Sequence, residues 1–180
     1  MTVIFLASPE QLAMDDFIQQ DDPPKDPNTG EEVSLLTNFE WDWPSGKKPV
    51  KVGTMLAFPD MTLMINPDCA IWKESKALKD DKVAEEVLSH EQVHYDIARA
   101  IGRVVAKKLE ALRAKTVADL DNAADALLLY HFRKRGPLIH KTYDKETEHG
   151  KVKDNQAIWK QAMKTTLANK NALQIRGWWL

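Results

Sequence analysis

From Asp80 to about Lys115 the chain places apolar side chains at helical spacing, with Val83, Val87, Ile97, Ile101, Val105 and Leu112 on one stripe and Asp80-Asp81 available as an N-cap. The pattern predicts one long helix, interrupted only by Gly102. His90 and His94 fall on the same stripe, so both imidazoles face inward. Two buried imidazoles on one helix face are rarely a packing device, because each ring brings polar nitrogens that must be satisfied. With Glu91 between them, the run His90-Glu91-Gln92-Val93-His94 has the spacing at which two histidines reach one tetrahedral metal ion from the same side. Zinc held there polarises a carbonyl oxygen and lowers the pKa of water, and Glu91 is placed to take a proton from the attacking water. The expected chemistry is hydrolysis of an amide.

A chain of 180 residues is expected to form a single domain, residues 1–180, with a core that needs no staples. Hydrophobic content of 43% and charged content of 29% fit a soluble globular protein, and no apolar run reaches the length that crosses a membrane. A net charge of −2 with mixed signs gives no basic field for nucleic acid, and Arg133-Lys134-Arg135 is short enough to be a helix end. Cys69 is the only cysteine, which excludes an internal disulfide and a zinc site built from thiolates. Any metal must therefore be held by histidine and carboxylate. Val3–Ala7 is apolar but lacks a basic lead and is too short for a secretory signal, so no export signal is expected in it.

The first fifty residues hold turn-forming clusters, Asp21-Asp22-Pro23-Pro24 and Asp26-Pro27-Asn28-Thr29-Gly30, so this region is expected to be mostly loop and residues 1–40 largely irregular. Val50 to Phe58 and Met61 to Ile65 alternate in short apolar steps bounded by Pro59-Asp60 and Asn66-Pro67, which predicts a hairpin or two sheet strands. Trp41, Trp43 and Trp72 are assigned to packing around this sheet, with the lining of a groove as the alternative. A second helix is expected from Val117 to Lys134, ended by Gly136-Pro137, and a final one from Val152 to Asn171. The terminus Trp178-Trp179-Leu180 is suited to dock on the body or on a partner. The fold class is α+β, with a small N-terminal sheet followed by the long motif helix and two further helices.

A catalytic zinc takes three protein ligands and keeps one open position. The extended metzincin motif is absent, since Ile97 and Ala100 stand where its glycine and third histidine belong. The remaining candidates are His131, His140, His149 and the acids Asp119, Asp121 and Asp125 of the second helix. His149 is best placed, because Thr147-Glu148-His149-Gly150 occupies a junction where the chain can turn back over the motif helix. His131, on an apolar helix end, is assigned a structural role. His140 and Tyr143 lie in the same connecting segment and either could donate to the oxyanion formed as water adds to a carbonyl, with Tyr143 preferred.

Leu88-Ser89-His90-Glu91-Gln92-Val93-His94-Tyr95-Asp96-Ile97-Ala98, then Tyr143-Asp144-Lys145-Glu146-Thr147-Glu148-His149-Gly150, then Gln156-Ala157-Ile158-Trp159 together resemble a bacterial domain family of unknown function described as predicted secreted zinc-dependent proteases. The resemblance covers roughly residues 60 to 165. It implies a zincin-like fold, a zinc site of His90, His94 and His149, and a secreted or periplasmic location, against a cytoplasmic one for a chain with no visible signal.

The expected function is that of a zinc metallopeptidase acting on a peptide or protein, with Glu91 as general base and Tyr143 or His140 steadying the oxyanion. An extended substrate is expected along the strand near Met61 to Ile65. Two alternatives differ in class. Glu91-x-x-His94 and Glu146-x-x-His149 are also the pairs a di-iron carboxylate bundle uses, although such a bundle needs four core helices and two more glutamates. A binding protein on the same scaffold would perform no hydrolysis and would close any zinc site with a fourth ligand.

Overall fold

The computed structural model describes residues 2–25, 30, 32–44 and 47–180. It is a mixed α/β arrangement of small sheets and three helical rods. Strands are β1 Val3–Ala7, β2 Phe17–Gln20, β3 Leu35–Asp42, β4 Val50–Val52, β5 Met55–Ala57, β6 Met61–Trp72, β7 Gln174–Ile175 and β8 Trp178–Trp179. The rods are α1 Asp81–Ala111, a continuous run of α2 Val117–Leu128, a π-helical stretch Leu129–Arg135 and α3 Gly136–Thr147, and finally α4 Lys153–Ala168. No helix among the described residues is long and apolar enough to cross a membrane.

The centre of the main sheet is β6, whose odd-numbered residues Met61, Leu63, Ile65, Cys69 and Ile71 are buried at the two-residue period of a strand. β3 runs antiparallel along one of its edges, Leu35 opposite Ile71 and Asp42 opposite Met64. β1 and β2 lie end to end along the other, both parallel to β6. The expected stop at Asn66-Pro67 is not one, and the ladder explains why. Met61 and Lys73 donate their N–H groups to Thr2 and Gln20 on the β1/β2 side, while Trp72 donates to Ser34 on the β3 side, so odd-numbered amides face β1 and β2. Pro67 therefore lacks its N–H where β1 has ended and β2 has not begun, and no ladder bond is lost.

The expectation that the first fifty residues are mostly loop is corrected by the same sheet. Three of its four strands come from this region, because strands as short as β1 and β2 fit between the turn clusters. Of the second cluster, residues 26–29 lie outside the described residues. Val50 to Phe58 forms its own hairpin of β4 and β5 around Gly53, whose φ is 62°.

α1 is the hub, in contact with β1, β3 and β6 on one side and with α2, α3 and α4 on others. Asp80 caps it by accepting from the amides of Lys82 and Val83 at 2.9 and 3.2 Å. It ends at Ala111, a turn earlier than expected, because Ala114 exchanges backbone hydrogen bonds with Leu56 of the hairpin. The stop expected at Gly136-Pro137 is also overturned. The Gly136 amide donates to the carbonyl of His131 across a widened turn, and this spacing carries the helix past a proline that would clash in a regular α-helix. Gly136 serves a close approach instead, since a Cβ there would lie 3.1 Å from the His131 oxygen and 3.3 Å from Ile101 Cδ1.

The C-terminal segment docks on the body. Ile175 and Leu180 are buried, Arg135 lies 4.9 Å from the Trp178 ring and donates to the Trp179 carbonyl, and Lys108 bonds His131 Nε2 at 3.0 Å and the Leu180 carbonyl at 3.3 Å. His131 is thus a structural residue.

Gly102 marks a close approach of α1 to the sheet, where a Cβ would collide with Phe5 Cε2 and meet Ile65 Cδ1 at 3.0 Å. Alanine improves helix propensity by ~1 kcal/mol, but overpacking costs about 1–3 kcal/mol. Gly102→Ala is expected to lower the urea midpoint; a raised midpoint would show that the helix and sheet do not meet so closely.

Candidate metal centre

α1 and α3 face each other where the histidine stripe leaves the apolar core. His90 Nε2 lies 3.2 Å from His94 Nε2, and Asp144 Oδ1 lies 3.2 Å from the first and 2.9 Å from the second. Ligand atoms at ~2.0–2.1 Å from a tetrahedral ion stand roughly 3.3 Å apart, so the three donors already sit near the corners of such a set. They form the one cluster of three potential ligands found among the described residues.

The surrounding hydrogen bonds set the donors' protonation. Gln156 on α4 donates through Nε2 to the Ser89 carbonyl at 3.2 Å, which turns its Oε1 toward His90 Nδ1 at 3.3 Å and the Tyr143 hydroxyl at 2.7 Å. An amide oxygen only accepts, so His90 carries its proton on Nδ1 and presents the Nε2 lone pair to the cluster. His94 Nδ1 lies 2.9 Å from His140 Nδ1. With His94 as donor in that pair its Nε2, which faces His90 and Asp144, carries the lone pair, and His140 is neutral, its pKa pushed down to about 3 chiefly by burial. Burial acts most strongly on Asp144 and would raise its pKa, yet the two imidazoles, when protonated toward it, outweigh that and hold the carboxyl well below the carboxylate range, so that it stays an anion once they give up those protons. It is an anion beside two nitrogen lone pairs.

Glu91 is buried and lines the same cavity of about 300 Å³ as His90, His94 and Asp144, and no side chain among the described residues hydrogen-bonds its carboxylate. The side opposite α1 is formed by β3, with Phe132, Arg133 and Pro137 beyond it. Trp41 stacks on Phe132 at 4.9 Å and lines this cavity, whereas Trp43 packs edge-on against Phe58 and Trp72 bonds the Asp21 carbonyl. One of the three tryptophans is therefore a groove residue.

His149 stands outside the triangle. It is half exposed at the rim, its Nδ1 3.7 Å from Asp144 Oδ1 and its ring 6.4 Å from that of His90. The turn sets this position. Glu148, His149 and Gly150 have φ of 47°, 54° and 83°, while buried Thr147 donates to the Tyr143 carbonyl and accepts from the Gly150 amide. Gly150 is needed where the turn lies on His90, since a Cβ would sit 3.3 Å from His90 Cβ and Nδ1. In the cluster itself the third position expected of His149 is held by Asp144, five residues earlier in the same segment, and His149 lines the cavity beside it.

Tyr143 does not face the cavity, which corrects the oxyanion role expected of it. Its hydroxyl is buried against Gln156 Oε1 and the His90 carbonyl, 3.1 Å away, and its ring stacks on His90 at 4.6 Å. Burial pushes the phenol above its ordinary pKa. It positions His90 from behind. Glu146 is engaged by Trp159 Nε1 at 2.8 Å and Arg176 at 2.7 Å, so the di-iron alternative lacks its second glutamate. Sequence reasoning missed Asp144 as a donor and Gln156 as its support, although both lie within the stretches that carried the resemblance.

If Gln156 sets the His90 tautomer, Gln156→Leu should fold and bind zinc about 10–100-fold more weakly in competition with a chromophoric chelator. Unchanged affinity would show that the tautomer is set elsewhere.

The chain belongs to the family described as bacterial protein of unknown function (DUF922), whose profile matches residues 12–150. The match takes in the motif helix and the Tyr143–Gly150 segment and starts well before the stretch from residue 60 that the sequence resemblance covered. Comparisons with curated proteins and with solved structures give no match.

Proposed function

We propose that this protein is a zinc-dependent peptidase with a zincin-like site, in which His90, His94 and Asp144 hold the metal and Glu91 is the general base. The observation that carries this reading is the triangle of donor atoms 2.9–3.2 Å apart on the wall of a cavity that Glu91 shares. Zinc, when bound, supplies Lewis acidity toward a carbonyl oxygen and makes water nucleophilic at neutral pH. Three protein donors leave a position for that chemistry, and no fourth histidine or acid joins the cluster among the described residues.

Glu91 takes the proton of the water that attacks the carbonyl carbon, and returns it to the amine nitrogen as the C–N bond breaks. Asp144 keeps its charge throughout, and Gln156 with Tyr143 holds His90 in one tautomer. Of the two oxyanion candidates His140 is the one that retains an uncommitted ring nitrogen, Nε2, on a ring that lines the cavity.

The substrate strand moves from its expected place. Met61 to Ile65 lies in the central strand of the sheet, paired with β1 along its length and with β3 at Met64 and Ile65, which leaves at most the three residues Met61 to Leu63 open on one side, too short a stretch to hold an extended peptide. β3 pairs only with β6 among the described residues, and residues from Leu35 to Trp41 line the cavity. An extended peptide added to this edge crosses the metal centre with its backbone held by the strand.

Glu91→Gln is the test. It should keep one zinc per chain by elemental analysis and lose at least about 10³-fold in turnover of a peptide library. Cleavage equal to the parent's would remove Glu91 from the mechanism and, with it, the peptidase reading.

A further inference from the structure

We infer that Arg133 is a specificity-determining residue that takes a carboxylate of the substrate peptide; this rests on the peptidase reading and names the substrate it prefers. Among the described residues Arg133 is the only lysine or arginine lining the cavity of the metal centre. Its guanidinium lies over the Trp41 ring at 4.5 Å. The chain's other five arginines each donate to an oxygen of the protein: Arg99 to Asp96, Arg103 to the end of α4, Arg113 to the Glu110 and Leu112 carbonyls, Arg135 to Trp179 and Arg176 to Glu146. Arg133 donates to none among the described residues. A guanidinium held by its face on an indole keeps its N–H edge free, and that edge is the fork that matches a carboxylate.

The position along the groove follows from the strand. His140 touches His94, Phe39 lies 5.6 Å from His140, and Phe132 bridges Phe39 to Trp41. Arg133 thus stands at the end of an aromatic wall that begins beside the metal donors. Phe39 and Trp41 are alternate residues of β3, roughly 6.6 Å apart along the strand. A peptide pairing antiparallel to β3 presents its own alternate side chains at the same spacing. The carboxylate that meets Arg133 therefore belongs to a residue two positions toward the peptide's N-terminus from the one opposite Phe39. The same chemistry could come from a free C-terminus if the peptide runs the other way.

The test is cleavage of a defined synthetic peptide library by the zinc-loaded protein, with sites read by mass spectrometry and the library offered with free and with amidated C-termini. Expected is about tenfold enrichment of Asp and Glu at one position on the N-terminal side of the cut, lost in Arg133→Gln and turned toward Lys in Arg133→Glu, with zinc content unchanged. Cleavage restricted to peptides with a free C-terminus, and relaxed by Arg133→Gln, would keep the carboxylate and assign it to the terminus. Cleavage with no acidic or terminal preference, or a preference that survives Arg133→Gln, would overturn this inference and leave the peptidase reading intact. No cleavage by the parent protein would overturn the peptidase reading and this inference together.

Discussion

The 3.3 Å contact between His90 Nδ1 and Gln156 Oε1 fixes which nitrogen of His90 carries its proton, and the site depends on that assignment. A neutral imidazole has one donor and one acceptor, so an acceptor behind the ring guarantees a lone pair in front. Gln156 is itself fixed by the Ser89 carbonyl and the Tyr143 hydroxyl, which ties α4 and α3 to the turn of α1 that carries the motif. Loss of that alignment would cost both the packing of three helices and the orientation of a ligand.

The same economy appears on the other side of the cavity. β3 is the strand that completes the sheet against β6, with Leu35 and Thr37 buried, and it is also a wall of the groove. Its rigidity comes from the core, while its edge away from β6, unpaired among the described residues, is the feature a binding strand needs. The aromatic contacts from Phe39 through Phe132 to Trp41 carry this wall from His140 to Arg133.

Much of this was legible in the sequence, residue by residue. The apolar stripe of α1, its cap at Asp80 and the inward histidines followed from local spacing alone. The strands β1 to β3 were hidden because turn residues dominate the composition there and short strands draw their stability from β6, far along the chain. Pro67 and Pro137 misled for one reason: each loses an N–H where no bond was due, at a gap between two strands and beside a widened helical turn. The second error concealed the third donor. Read as a terminator, Gly136-Pro137 leaves His140 and Asp144 in a connecting segment; read through, it puts them four apart on one helix face, both against His94. Zinc and peptide hydrolysis remain a proposal built on that geometry.

The central claim is that Asp144, and not His149, completes the metal site. Calorimetric titration of zinc into the parent protein, Asp144→Ala and His149→Ala tests it most directly. Expected is one site per chain in the parent, affinity within a few-fold in His149→Ala, and a loss in Asp144→Ala beyond the roughly hundredfold that removal of an outer partner costs. Retention of tight binding by Asp144→Ala, with loss in His149→Ala, would contradict the account and return the third position to the histidine at the rim.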